Sequence, residues 1–378
     1  MARTTPRLID IAKRAELSVT SISRILSGQR LSEYSPDTQT RVRKIAEELG
    51  WRPNLVVQGM KTGQTHTFGV FMAPYDTFWT GVLYGVHDTL LEAKQVPVVL
   101  WPHAQVHPTI ESLRGHDWAR GEGPVAKRSQ RPDGASPPAD QPTDEAGSVR
   151  RELERINCLE DRRVDAIISW PLYEQNARER LTMLSARGLP VVTIDDALPA
   201  PAKSIHVGHD EVGTMASVRG HLDELGHRQV VYIGLGNDHT WAKQRKSAFL
   251  KTWPEFDADA TFDLDIVDGE HRHGEINTFL QSHPKATAIV TATDHVARQV
   301  TRALSLVGKR VPEDFSVVGF GNDAFNKGDI PLTTIDQRPY EVGQIAAQLT
   351  LQTPKPRKRS VHVPTQLLVQ ESTRPLTT

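Results

Sequence analysis

Seven short runs of apolar residues restrict this chain more than any other feature: FGVFM (68–72), VPVVLW (96–101), VDAIIS (164–169), LPVVTI (189–194), QVVYIG (229–234), ATAIVTA (286–292) and FSVVGF (315–320). A strand with one face in water alternates polar and apolar residues. A Val/Ile-rich run largely unbroken by polar residues is covered on both faces. Helical patterns, not tight turns, separate the runs, so the strands run parallel and the body is α/β and doubly wound. With 378 residues the chain has room for two or three domains.

The first 53 residues have a different texture. LIDIAKRAELSVTSISRILS (8–27) fits two short amphipathic helices. Ile11, Ala12 and Ala15 mark the inner face of the first, and Ile22, Ile25 and Leu26 that of the second. Residues 15–18 form a turn of the length that sets two helices at a steep angle, and Ser18 is placed to N-cap the second. Leu8, Leu17 and Ile22 then seal a small core. In such a helix-turn-helix the second helix enters the DNA major groove. Its exposed positions are Val19, Thr20, Ser21 and Ser23, with Arg24 one turn on. An apolar side chain meets a thymine methyl, hydroxyls meet either edge, and Arg forks guanine. A third helix follows, capped by Ser35, begun by Pro36, and closed by Gly50 and Pro53. Its Arg41, Arg43 and Lys44 face solvent or phosphate. The competing reading is a helical hairpin that merely packs.

Charge separates the two readings. Net charge is −1 over the chain, yet residues 1–62 carry 11 Lys/Arg against 6 Asp/Glu. A basic head on an acidic body is the asymmetry of a nucleic-acid reader. No apolar run approaches the roughly 18 residues of a membrane span, and the N-terminal residues lack a signal-peptide core, so neither membrane insertion nor export is expected. Cys158 is the one cysteine, which excludes an internal disulfide and fits a reducing cytoplasm. No nucleophile elbow, P-loop or zincin motif is present. Gly234-Leu235-Gly236 lacks the third glycine of a dinucleotide loop, and the histidines lack metal-ligand spacing. No cofactor, no metal and no catalytic activity are expected.

Two segments fall outside these domains. NLVVQGMKT (54–62) is a marginal helix: Asn54 caps it, Gly59 weakens it, and Val56, Val57 and Met60 find little local core. The stretch 103–147 is rich in Pro, Gly, Ser and charge and reads as an insertion unable to offset its ordering entropy.

Residues 8–24 resemble the N-terminus of the lactose-repressor (LacI/GalR) family in Leu8, Asp10, Ile11, Ala12, Ala15, Ser18 and the Ser21-Ile22-Ser23-Arg24 run, followed by Pro53-Asn54. The body carries matching phrases at 164–168, 188–192, 294–297, 308–320, 331–335 and 370–373. Departures are Glu16 at a turn position often held by Gly, Arg7 for a Thr cap (leaving Thr5 as the substitute), Val57-Gln58 in the hinge, Gly321-Asn322 for Asp-Asp, and Gln370 for Arg.

The resemblance implies a helix-turn-helix headpiece over 1–53, a hinge over 54–64 and an effector-binding body over 65–378. The body resembles periplasmic sugar-binding proteins: two doubly wound subdomains, about 65–195 with 337–352 and about 196–336 with 353–378. It implies a hinge that folds on DNA, where Met60 wedges into the minor groove beside Lys61. In the cleft it implies that Arg245 reaches the ligand. Asp294, at a strand's carboxyl end, accepts from sugar hydroxyls or caps its helix. Phe78 and Trp79 after the first strand, and Trp241 from the far half, are placed to stack on a sugar face, with core packing the alternative for Phe78. The expected protein is a cytoplasmic homodimeric repressor that binds a near-palindromic double-stranded operator and a small carbohydrate effector. The competing class is a solute-binding protein or sugar-processing enzyme on the same body.

Overall fold

A computed structural model describes residues 6–54, 59, 63–72, 77–101, 152–170, 172, 174–236, 240–264, 272–323, 330–352 and 360–376. They form two compact units, residues 1–65 and 66–378. The segment 103–147, together with Val57, Met60 and Lys61, lies outside the described residues.

Among the described residues the head holds α1 (Leu8–Ala15), α2 (Val19–Ser27) and α3 (Pro36–Glu48). Ile11, Ala12, Ala15, Ile22, Ile25, Val42, Ile45 and Ala46 form its core, with Leu8, Leu17 and Trp51 packed at the margin. The starts follow from local chemistry. Ser18 Oγ accepts from the Ser21 N–H at 3.0 Å, and Ser35 Oγ from the Thr38 N–H at 3.2 Å. At α1, Arg7 supplies no side-chain cap; the Asp10 carboxylate reaches back to the Arg7 N–H at 2.7 Å. Glu16 ends α1 at φ 54°, ψ 42°, a left-handed turn that costs a non-glycine residue about 1 kcal/mol. Arg41 Nη2 donates to the Ala15 carbonyl at 3.2 Å and ties α3 to the end of α1.

The body contains two six-stranded sheets among the described residues. The first has β1 (Thr67–Phe71), β2 (Val96–Leu100), β3 (Ala166–Ser169), β4 (Val191–Ile194), β5 (Ile205–Gly208) and β11 (Ser360–His362), in the order β11-β5-β4-β3-β1-β2. The second has β6 (Val230–Leu235), β7 (Thr261–Leu264), β8 (Ala288–Thr291), β9 (Ser316–Phe320), β10 (Thr333–Asp336) and β12 (Gln366–Leu368), in the order β12-β10-β9-β8-β6-β7. Among the described residues the strand pairings are parallel except β10 with β12. The seven apolar runs supply β1–β4, β6, β8 and β9.

Among the described residues eight helices flank the strands: α4 (Thr77–Glu92), α5 (Glu152–Asp161), α6 (Gln175–Ala186), α7 (Glu211–Glu224), α8 (Thr240–Thr252), α9 (Arg272–Ser282), α10 (Asp294–Leu306) and α11 (Pro339–Leu351). α4 and α11 cover the first sheet, burying Val82, Val86, Leu90, Val342, Ala346 and Ala347 in its core. The second sheet has a core on each face, one beneath α7 and α8 and the other beneath α9 and α10.

The division between halves differs from the expected one. The sequence places residues about 196–336 and 353–378 in the second half, but β5 and β11 belong to the first sheet. Val192 pairs with Ile205, and Val207 with Val361, so Ile205, Val207 and Val363 join the first core. The chain therefore crosses after Gly208, after Asp336 and after His362.

α4 and α11 approach so closely that a Cβ on Gly85 would lie 2.1 Å from the Tyr340 carbonyl oxygen. Backbone cannot yield as a flexible side chain would. Gly85→Ala is expected to destabilise the body by at least the roughly 1–3 kcal/mol of core overpacking. Gly220→Ala, where a Cβ on α7 meets nothing within 4 Å, is expected to stabilise by roughly 0.5–1 kcal/mol. Denaturant midpoints of the two variants check this.

Burial holds His206, His221 and His227 below the ordinary value of 6.5. His227 is enclosed: Nδ1 meets Thr287 Oγ1 at 2.9 Å, and Nε2 donates to the Arg374 carbonyl at 3.0 Å. With folded values below the unfolded one, the unfolded chain binds more protons as pH falls below 6.5. This contribution to stability is complete above 6.5 and is lost as pH falls towards the folded values. The urea midpoint should therefore drop between pH 7 and 5.5, and less steeply in His227→Gln.

Candidate functional sites

On the head, α2 buries Ile22 and Ile25 and turns Val19 and Thr20 outward; Val19 is 42% exposed. Ser23 and Arg24 follow one turn later, half-buried on the same face. Of the hydroxyls expected to meet bases, those of Ser18 and Ser21 lie 2.9 Å apart and are engaged in the cap. The outward set is thus Val19, Thr20, Ser23 and Arg24: an apolar group, two hydroxyls and a guanidinium, which suits a base edge. Arg24 is not free in this arrangement. Its Nη1 donates to Glu33 Oε2 at 3.2 Å, a partner the sequence did not reveal. Asn54 is exposed just beyond the head. In the hinge, Gly59 is helical and its carbonyl accepts from the Gly63 N–H at 2.8 Å.

In the body, the expected ligand residues lie at the carboxyl ends of strands, where open α/β sheets bind ligands. Asp294 opens α10 after β8 and is 4% exposed. Its Oδ1 accepts from Thr334 Oγ1 at 2.6 Å and its Oδ2 from the Asp323 N–H at 2.8 Å. Burial pushes this carboxyl above its ordinary value, against the pull of those two bonds. Asp294 is not the helix cap, as one reading of the sequence had it. Thr293 is: its Oγ1 accepts from the Val296 N–H at 3.2 Å, leaving the Asp294 carboxylate for other partners.

Arg245 projects from α8 and is 3% exposed. Nε and Nη2 fork the Glu211 carboxylate at 3.0 and 2.9 Å, and Nη1 donates to the Ala292 carbonyl at 2.7 Å. The guanidinium lies 4.1 Å over the Phe320 ring and 5.2 Å from Trp241. Burial, the largest single influence, works against its charge, but the Glu211 carboxylate together with Tyr232 raises the group. Asp195 acts on it in the same direction from the end of β4. Glu211 was missed in the sequence because it reads as an ordinary acidic first-turn residue after the Asp210 cap.

Phe78 and Trp79 both sit in the first core. They meet edge to face at 5.0 Å; Trp79 then meets Trp170 at 5.5 Å, and Phe78 lies 6.2 Å from His209. His209 Nε2 donates to the Gln337 carbonyl at 2.9 Å. Thr77 Oγ1 donates to Asp323 Oδ1 at 2.9 Å. These two bonds join elements of the two halves. A cavity of about 420 Å3 opens at the same crossing, lined by Thr77, Gly321, Asn322, Asp336, Arg338 and Tyr340 among others. The polar and aromatic groups here offer hydrogen bonding and stacking. Among the described residues no group of three or more His, Cys, Asp or Glu could hold a metal ion, and no helix is long and apolar enough to cross a membrane.

Removing the Arg245 counter-ion tests the buried pair. Glu211→Ala leaves a buried cation uncompensated and should cost on the order of 3–5 kcal/mol. Replacing both, Arg245→Met with Glu211→Leu, should recover most of that loss. Equal midpoints for Glu211→Ala and the unaltered protein would contradict the assignment.

Comparison with known proteins accounts for both units. Residues 7–54 match the family described as bacterial regulatory proteins, lacI family, and residues 220–373 match a periplasmic binding protein-like domain. The HTH-type transcriptional repressor PurR of Aliivibrio fischeri (strain ATCC 700601 / ES114) is 23% identical over 353 residues, spanning 91% of this chain and 90% of its own length. The crystal structure of the Lac repressor dimer bound to operator and the anti-inducer ONPF matches with a TM-score of 0.72 at 19% identity, covering 98% of this chain and 100% of that one. The complex of the transcriptional regulator CelR with cellobiose matches with a TM-score of 0.59 at 21% identity, covering 97% and 99%. The fold is therefore a helical head with two parallel-sheet halves, as in the Lac repressor.

Proposed function

Because residues 7–54 match the lacI family of bacterial regulatory proteins and residues 220–373 a periplasmic binding protein-like domain, we propose that the chain is a lacI-family, sequence-specific DNA-binding transcription repressor controlled by a small carbohydrate effector. The outward face of α2 carries this reading: Val19, Thr20, Ser23 and Arg24 stand on a helix whose other face is locked into the head's core. Ser18 and Ser21 fix the start of that helix, so their part is to aim it. Asn54, Val57, Met60 and Lys61 form the hinge, with Met60 as the minor-groove wedge and Lys61 beside it.

The protein acts as a homodimer in the cytoplasm and performs no catalysis. The relatives carry the names of transcription regulators, and the Lac repressor was solved as a dimer on its operator. The effector lies where the halves cross, held by Asp294, Arg245 and Trp241, with Phe78 and Trp79 shaping the near wall. Cellobiose in the CelR complex supports a carbohydrate. Its bonds to Thr334 and Asp323 leave Asp294 lone pairs for a sugar hydroxyl. The ligand shifts the halves only through its differential affinity for their two arrangements. A solute-binding protein or sugar-processing enzyme would share the body but would have no use for the head.

Two experiments test this. Footprinting should protect a near-palindrome of two half-sites, with log K falling linearly in log salt and binding lost on removal of residues 1–62. A single asymmetric half-site bound by a monomer would contradict it. For the hinge, Met60→Ala should abolish DNA bending and most specific affinity while sparing non-specific binding, whereas Met60→Leu keeps the wedge volume and the bend. Equal bending by Met60→Ala and the unaltered protein would leave residues 54–62 as an ordinary linker.

A further inference from the structure

The Glu33 carboxylate stands among the guanidinium groups of the reading face and bridges two of them. Oε2 accepts from Arg24 Nη1 at 3.2 Å and Oε1 from Arg30 Nη1 at 3.4 Å. The carboxylate is carried on a pinned turn. Leu31–Glu33 is a single 3-10 turn, entered through Arg30 at φ 49° and left through Tyr34, which packs against the head's core. Gln39 Nε2 closes the turn onto α3, donating to the Leu31 and Tyr34 carbonyls at 2.9 and 3.0 Å.

Neither stability nor affinity explains a carboxylate in this place. The side chains of Arg24 and Glu33 are 35% and 45% exposed, and ion pairs that open to water contribute little to folding. A negative charge beside DNA also opposes phosphate binding. Its effect falls on Arg24. A guanidinium has five N–H groups, and the Glu33 bond engages Nη1, leaving the Nε and Nη2 edge able to fork guanine O6 and N7. A flexible Arg must otherwise be ordered when it binds, and an unpaired one is equally drawn to phosphate.

We infer that Glu33 is a positioning residue for base readout: it holds Arg24 so that the guanidinium reads a base edge instead of a phosphate. This rests on α2 being the DNA-reading helix.

The test uses the full-length protein and the Glu33→Ala, Glu33→Gln and Arg24→Ala variants, each checked for an unaltered unfolding midpoint. Each is presented with a random duplex pool, and bound sequences are read out. Affinities for the selected duplex and a scrambled duplex are then titrated against salt. Glu33→Ala should lose preference at the same base position as Arg24→Ala, by roughly three- to tenfold, the equivalent of immobilising one rotamer-rich side chain. Its affinity for the scrambled duplex should rise, because a repelling charge is gone. Glu33→Gln, which keeps an acceptor oxygen, should retain part of the preference. A merely structural role would lower affinity evenly across sequences. That outcome, or an unchanged motif in Glu33→Ala, overturns the inference. Should the unaltered protein select no motif at all, the assignment of α2 fails first, before any variant is compared.

Discussion

One buried carboxylate organises the crossing between the halves of the body. Asp294 holds Thr334 on β10 and the Asp323 backbone after β9, and sits itself at the end of β8, so it fastens the carboxyl ends of three adjacent strands. β9 carries a glycine beside it, where a side chain would press on the carboxylate. A Cβ on Gly319 would lie 2.1 Å from Asp294 Oδ1. Burial disfavours the ionised group, and the Thr334 and Asp323 bonds oppose that penalty. A charge held in this balance is sensitive to any further donor that approaches it.

From Asp294 the connections run outward. Asp323 gives its N–H to Asp294, while its own side chain accepts from Thr77 at the start of α4. On the other flank, Arg245 lies over Phe320 at the end of β9 and is neutralised by Glu211 at the start of α7. His209, just before α7, reaches the Gln337 carbonyl just before α11. Each bond joins residues distant in sequence, and His209 with Gln337 stands where the chain changes sheets. The crossing is thus a polar network between two apolar cores, and polar networks rearrange between discrete hydrogen-bonded states more readily than packed interiors deform.

What the sequence revealed and what it hid divide along the same physical line. Runs such as FSVVGF and ATAIVTA announce strands because their apolar side chains are their whole reason for burial. β10 did not announce itself: Thr333 and Thr334 are buried, but their hydroxyls are satisfied by Thr373, Gln370 and Asp294, partners that only the fold brings near. β5 hid behind His206 and β7 behind Asp263, and the short edge strands β11 and β12 carry too few apolar residues to show. Missing β5 and β11 is what displaced the expected boundary between halves. The head was more legible, since its caps at Ser18 and Ser35 are local chemistry. Even there the Glu33 partner of Arg24 escaped notice, because an i to i+9 contact across a turn has no periodic signature.

The magnitudes also constrain how control could work. Moving a two-state equilibrium from 1:99 to 99:1 requires about 5.5 kcal/mol of differential affinity. Among the described residues, the bonds at the crossing near the proposed effector include Thr77 to Asp323 and His209 to Gln337. A hydrogen bond contributes about 0.5–1.5 kcal/mol net, or 1.5–3 kcal/mol when a charged group takes part, as the Asp323 carboxylate does. Remaking both in one protomer therefore yields roughly 2–4.5 kcal/mol, short of a full switch. In the proposed homodimer, two occupied protomers acting together reach it. On the proposed reading, a homodimer does more than match a palindrome: it supplies the second ligand's share of the energy that the first cannot provide alone.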